Sequence, residues 1–211
     1  MKATARKLKN HPRRQTFVLA SYFQLCWLLT ASIVALTGQH VSGWWLLVVI
    51  PIFWIPFAIE ALTTVHFPAT LQVHFYLFVS FAAVMGDVFD MYNLVAHWDT
   101  VAHFDSGILL AWLGFFMVRT MEITGNIRLP RWSAIIIAFI MPMALAAMWE
   151  IVEFMSDNLI HTTAQNGLVD TMVDMIAAAI GASLTILFVR NLTPKNVRPE
   201  ALLSPPERAV L

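Results

Sequence analysis

The sequence predicts an all-α polytopic membrane protein with six transmembrane helices and both termini in the cytoplasm. Three observations carry that prediction. The chain is 59% hydrophobic and only 12% charged, with a mean hydropathy of +0.70, a balance foreign to ordinary soluble domains. Six windows are long and apolar enough to cross a hydrocarbon core, which takes roughly 20 residues per helix. The 13 Lys and Arg residues fall only at the chain ends and around one connection, a segregation that fixes orientation.

The windows are 16–37, 44–62, 69–88, 99–119, 132–155 and 170–190. They divide the chain into a basic N-terminal tail (1–15), a six-helix domain (16–190) and a C-terminal tail (191–211). The first window is longer than the 7–15 residues of a signal-peptide core and lacks an A-x-A site, so it reads as a retained anchor. Pro51 and Pro56 lie inside the second window, where neighbouring helices can satisfy the freed backbone groups, and predict a kink rather than a break. The single cysteine, Cys26, can form no intrachain disulfide and reads as a small buried hydrophobe. A formal net charge of zero gives no ground for a nucleic-acid partner. No internal repeat is evident.

Basic residues set the orientation. Lys2, Arg6, Lys7, Lys9, Arg13 and Arg14 precede the first window, and Arg119, Arg128 and Arg131 surround the fourth-to-fifth connection. Arg190, Lys195, Arg198 and Arg208 end the last helix and the tail. With the N-terminus in the cytoplasm of a bacterial inner membrane, no basic residue remains in an outer loop. The acids run the other way. Asp87, Asp90, Asp99, Asp105, Glu150, Glu153, Asp157, Asp170 and Asp174 lie toward the outer side, and Glu60, Glu122, Glu200 and Glu207 toward the inner.

Three of the outer helix ends carry stripes of ionisable residues. The fourth helix enters as "DTVAHFDSG", with Asp99 and His103 at i and i+4. The fifth leaves as "WEIVEFMSD", with Glu150, Glu153 and Asp157 at i, i+3 and i+7. The sixth enters as "DTMVDMIAAAIG", with Asp170 and Asp174 at i and i+4, and Ala177, Ala178 and Gly181 continuing the stripe inward. Residues so spaced share one helix face. Ionisable groups at membrane depth turn toward the bundle interior or a water-filled cavity, so the three stripes are expected to converge. With no Lys or Arg on that side, either some carboxyls keep their protons or a cation fills the site.

The plainer reading, acids at helix ends reaching interfacial water, suits Asp87, Asp90 and Asp157. Capping and the helix dipole also suit Asp99 and Asp170. It explains Glu150, Glu153, His103 and Asp174 less well, because they sit within apolar runs. Asp105 lies some 200° around the helix from His103 at about 100° per residue and faces elsewhere. Ser106 shares the site face without an evident base. His74 reads as a packing residue, and His97 and His161 as accessory ligands from outer loops.

These blocks resemble those of the YjdF-like bacterial inner-membrane proteins and, more distantly, of VanZ-like proteins. "DTVAHFDSG", "WEIVEF" and "DTMVDMIAAAIGA" carry the resemblance. Asp99, His103, Phe104, Glu153, Asp174 and Gly181 match the VanZ-like blocks, and Ala178 stands where that pattern has asparagine. The resemblance implies a polytopic inner-membrane protein, with an envelope role by distant analogy.

The leading functional expectation is a cation-dependent hydrolase or transferase facing the periplasm, acting on an envelope or lipid-linked substrate. Asp99, His103, Glu150, Glu153, Asp170 and Asp174 would hold a divalent cation, and Glu150, Glu153 and Asp174 would do the acid–base work. Mixed carboxylate and imidazole ligation suits Mg, Mn, Ca or Zn without choosing among them. Two other classes stay open: a proton- or cation-coupled transporter, and a non-catalytic interaction protein whose acids organise the bundle. Membrane lipids are the only partner the composition requires.

Overall fold

Helix is the only regular structure in the computed structural model, which describes residues 11–38 and 41–192. Six stretches are long and apolar enough to span a membrane: Arg13–Leu36, Gly43–Leu62, Ala69–Val88, Trp98–Gly125, Trp132–Leu159 and Leu168–Asn191. Each predicted window is present and most run longer. Residues 1–10 and 193–211, most of both predicted tails, lie outside the described residues. The first helix begins at His11, inside the stretch read as a tail.

Two compact units divide the chain, Met1–Trp98 and Asp99–Leu211. In the first, α1 (His11–Leu36) packs with α3 (Ile55–Leu62), α4 (Ala69–Val79) and a π-helical segment (Ser80–Val88) that continues α4, and α2 (Gly43–Ile52) packs on that π-helical segment. A short helix, α5 (Met91–Leu94), follows. The core gathers Ala20, Val49, Phe53, Tyr76, Val79, Val84 and Val88. The Tyr76 ring is stacked between Phe23 and Phe53, with centroids 5.2 and 6.2 Å away.

The second span differs from the expected kink. A turn at Phe53–Trp54 separates α2 from α3. Pro51 cannot donate to the ladder, and Pro56 at the start of α3 is pre-set for a helix beginning, so the two prolines place the interruption between them. The Trp54 indole N–H donates to the Gln24 side chain, tying the interruption to α1. Cys26 also departs from expectation. It is exposed, on the outward face of α1 with Tyr22, Leu25, Leu29 and Ile33. In a membrane chain an apolar outward face meets lipid, so burial inside protein is not the only home for a small hydrophobe.

The second unit consists of α6 (Trp98–Gly125), α7 (Arg131–Ile160) and α8 (Leu168–Leu192). Its core is built from small and aromatic residues: Ala111, Phe115, Val118, Ala134, Ala138, Ala182 and Val189. Ile140, Ile176, Leu184 and Phe188 point outward and exposed.

Each unit also contains the same helix–turn–helix device, a short repeat where none was expected. Glu60 and Glu122 are both buried, and each accepts a hydrogen bond from a backbone N–H seven residues on. Phe67 donates to Glu60 at 2.8 Å, and Leu129 to Glu122 at 2.9 Å. Proline follows each donor, and Pro68 and Pro130 open the next helix with φ/ψ of −57°/144° and −58°/147°. The signal was there in "EALTTVHFP" and "EITGNIRLP", one glutamate and one proline at identical spacing. A carboxylate takes up an orphan N–H, and proline's missing N–H is no loss at a helix start. Glu60 is held further by the Thr16 hydroxyl at 2.6 Å and the Gln72 amide at 3.3 Å.

Candidate functional site

The site is assembled by backbone contact between α6 and α8. A Cβ on Gly107 would lie 2.2 Å from the Ala178 carbonyl oxygen, and one on Gly181 would lie 2.1 Å from that of Phe104. Only glycine permits approach this close. One helical turn toward the start of each helix stand His103 and Asp174, so the contact brings them together. Ala178 is wholly buried at this crossing. Gly114 does the same for α6 and α7, since a Cβ there would meet the Ala138 backbone at 2.7 Å.

Asp99, His103 and Asp174 each offer one ligand atom, and these three atoms all lie within 4.8 Å of one another. His103 is 5% exposed and Asp174 1%, while the Asp99 side chain retains 22%. The His103 Nε2 atom is 3.6 Å from Asp99 Oδ1 and 3.4 Å from Glu150 Oε1. Both distances exceed the 2.7–3.2 Å of an N–H···O hydrogen bond. Glu150 is itself 5% exposed, and its Oε1 makes no hydrogen bond. Neither does the buried Nδ1 of His103.

The other expected members sit further out. Glu153 is half-buried, within electrostatic range of Asp99, Glu150 and Asp174, and its Oε1 accepts the Trp149 indole N–H at 2.8 Å. That partner was legible as W-x3-E on one helix face but was not anticipated. Asp170, in the first turn of α8, acts on His103 electrostatically and is not among the three clustered ligand groups. Asp157 leaves the stripe. Its carboxylate accepts the Thr162 hydroxyl and the backbone N–H groups of Ala164 and Gln165, capping the loop between α7 and α8.

The fifth span runs beyond its expected end. α7 continues to Ile160, past the predicted end at 155, so Glu150 and Glu153 lie well inside it, clear of the negative end of its dipole. The Ser106 hydroxyl bonds back to the His103 carbonyl at 2.7 Å. His161 is the exposed left-handed cap of α7, and His97 is likewise exposed with φ 61°. Neither belongs to the clustered ligand group.

Chemically, three carboxylates and one imidazole from α6, α7 and α8, all but Asp99 buried, gather around His103 with no basic residue among them. Buried charge of one sign is costly unless paired or coordinated. The mutually close donors of Asp99, His103 and Asp174, two carboxylates and an imidazole within 4.8 Å of one another, are of the kinds a divalent cation takes.

Comparison with known proteins places this chain in a family. The chain is 27% identical over 135 residues to an "Uncharacterized protein" of Thermotoga maritima, an overlap covering 62% of this chain and 69% of that one. No solved structure matches the chain. A family model described as "Predicted membrane protein (DUF2238)" matches residues 19–194. That match takes in all three helices of the site, and the chain belongs to this family of predicted membrane proteins.

Proposed function

We propose that this protein is a multi-pass inner-membrane enzyme of bacteria that holds a divalent cation at Asp99, His103 and Asp174. With it the enzyme hydrolyses, or transfers a group from, a lipid-linked substrate at the periplasmic face. The observation that carries the reading is the set of three ligand atoms within 4.8 Å, two of the residues being buried. Orientation follows from the basic residues, all on the side opposite the cluster when the termini are cytoplasmic.

A lipid-linked substrate is supported by the surface beside the site. Trp149 and Val152 are about half exposed on the apolar face of α7, and the Trp149 indole holds Glu153 at the boundary between that face and the acidic cluster. A molecule with a polar head and a hydrocarbon tail meets both environments there. A bound cation would supply Lewis acidity and offset the charge of an anionic head group. Glu153, outside the clustered ligand group, accepts the proton of the attacking water and returns it to the leaving oxygen.

Elemental analysis of gently purified protein tests the cation. About one divalent ion per chain is expected in the wild type, with loss in Asp174→Asn. A metal-free wild type whose thermal midpoint none of Mg, Mn, Ca or Zn raises would refute the reading. Gradient-driven uptake of the same ion by proteoliposomes would redirect it to transport.

A further inference from the structure

We propose that Glu150 is a fourth ligand to the cation, contributed by α7, and that the completed site selects a first-row transition ion over Mg²⁺ and Ca²⁺. The inference rests on the cation site proposed above and concerns its composition and selectivity.

Glu150 stands outside the three mutually close groups, yet its Oε1 is directed at the same imidazole nitrogen that faces Asp99. The residue is nine-tenths buried, and that oxygen has no hydrogen bond. A buried carboxylate oxygen left without a donor is costly, and the polar atom it faces is the imidazole nitrogen that also faces Asp99. The separations around His103 Nε2 name the missing partner. Four ligands about 2.1 Å from an ion at tetrahedral angles lie about 3.4 Å apart, and at octahedral angles about 3.0 Å apart. The observed 3.4 and 3.6 Å are longer than a hydrogen bond and match that spacing at the imidazole, and Glu150, outside the mutually close group, completes the set by swinging its carboxylate inward.

Selectivity follows from number and kind of donor. Ca²⁺ takes six to eight oxygens, and Mg²⁺ keeps oxygen ligands and several waters in a near-ideal octahedron. Four side chains, one of them an imidazole, meet neither demand. Imidazole suits Fe²⁺ and Zn²⁺, and Mn²⁺, which shares the carboxylate preference of Mg²⁺, also accepts an imidazole nitrogen. With Glu150 included, the ion ties α7 to the glycine-packed pair of α6 and α8, so all three helices of the second unit meet at it.

Mn²⁺ provides the probe, because its six-line electron paramagnetic resonance signal in water is broadened on binding and reports affinity without a known substrate. Wild-type protein in detergent is expected to bind about one Mn²⁺, displaced by equimolar Zn²⁺ but not by a hundredfold excess of Mg²⁺ or Ca²⁺. Glu150→Gln is expected to weaken binding at least about tenfold, and Glu153→Gln less than about threefold. If Glu150→Gln does not fold, Glu150→Asp, which keeps the charge but shortens the reach, is expected to show the same loss. Unchanged Mn²⁺ affinity in the folded Glu150 variant would overturn the fourth-ligand assignment and leave the three-residue site standing. Displacement by Mg²⁺ or Ca²⁺ at comparable concentration would overturn the selectivity. Binding of no ion by the wild type would remove the underlying site and this inference with it.

Discussion

Gly181 lacks a side chain where a Cβ would stand 2.1 Å from the carbonyl oxygen of Phe104. The neighbouring atom is backbone, so it cannot turn aside. Gly181→Ala is therefore expected to push α8 off α6, costing about 1–3 kcal/mol as overpacking does. The site should loosen with it, because His103 and Asp174 are carried by the two helices at this crossing. A lowered thermal midpoint together with weakened cation binding is the expected pair of results. Wild-type values for both would mean that the crossing does not position the ligands.

Removing the imidazole should do more to the ion than to the fold. His103→Ala deletes the nitrogen that faces both Asp99 and Glu150, and affinity is expected to fall by at least about tenfold. Chelator treatment should then lower the thermal midpoint of the wild type and leave that of the variant unmoved, since only a bound ion contributes linkage stability. Equal sensitivity of both proteins to chelator would argue against a role for His103 as ligand.

The two glutamate turns are expected to behave as structural elements independent of the cation. Glu122→Ala leaves the Leu129 N–H without its acceptor, and Glu60→Ala does so for Phe67, each at about 1–3 kcal/mol. Hydrogen exchange should accelerate at the respective amide and turn, with no change in metal content. Exchange rates left as in the wild type would show these hydrogen bonds to be dispensable.

Asp157 separates loop order from site chemistry. Asp157→Ala removes the acceptor for Thr162, Ala164 and Gln165, at an expected cost of about 1–2 kcal/mol. Limited proteolysis should shift toward residues 162–167 while cation binding holds. A variant that loses the ion would return Asp157 to the site.

Orientation is open to a direct chemical check. In a Cys26→Ser background, Thr163→Cys is expected to react with a membrane-impermeant maleimide added to intact spheroplasts. Ile127→Cys should react only after permeabilisation. Both positions are exposed and lie between spans, so the reverse pattern would invert the proposed topology.

Much of the fold could be read from the sequence because lipid punishes unpaired backbone and misplaced charge more strictly than water does. Apolar length alone located all six spans, and the spacing of Asp99 and His103 put them on one helix face before any packing was known. Spacing could not sort the fifth helix. Glu150, Glu153 and Asp157 share a stripe, yet one is buried, one is held by Trp149 and one caps a loop. Those fates depend on how α7 is rotated and on where the chain turns after Ile160, which are matters of packing.

The amino-acid order by itself determined that this chain forms six apolar helices long enough to span a membrane, with acids gathered toward one end of three of them. That follows from transfer free energy, which each segment feels separately. Which acids meet was decided only by tertiary contact. Gly107 and Gly181 let two backbones touch, and that approach, invisible to any local rule, sets Asp174 beside His103 and Asp99.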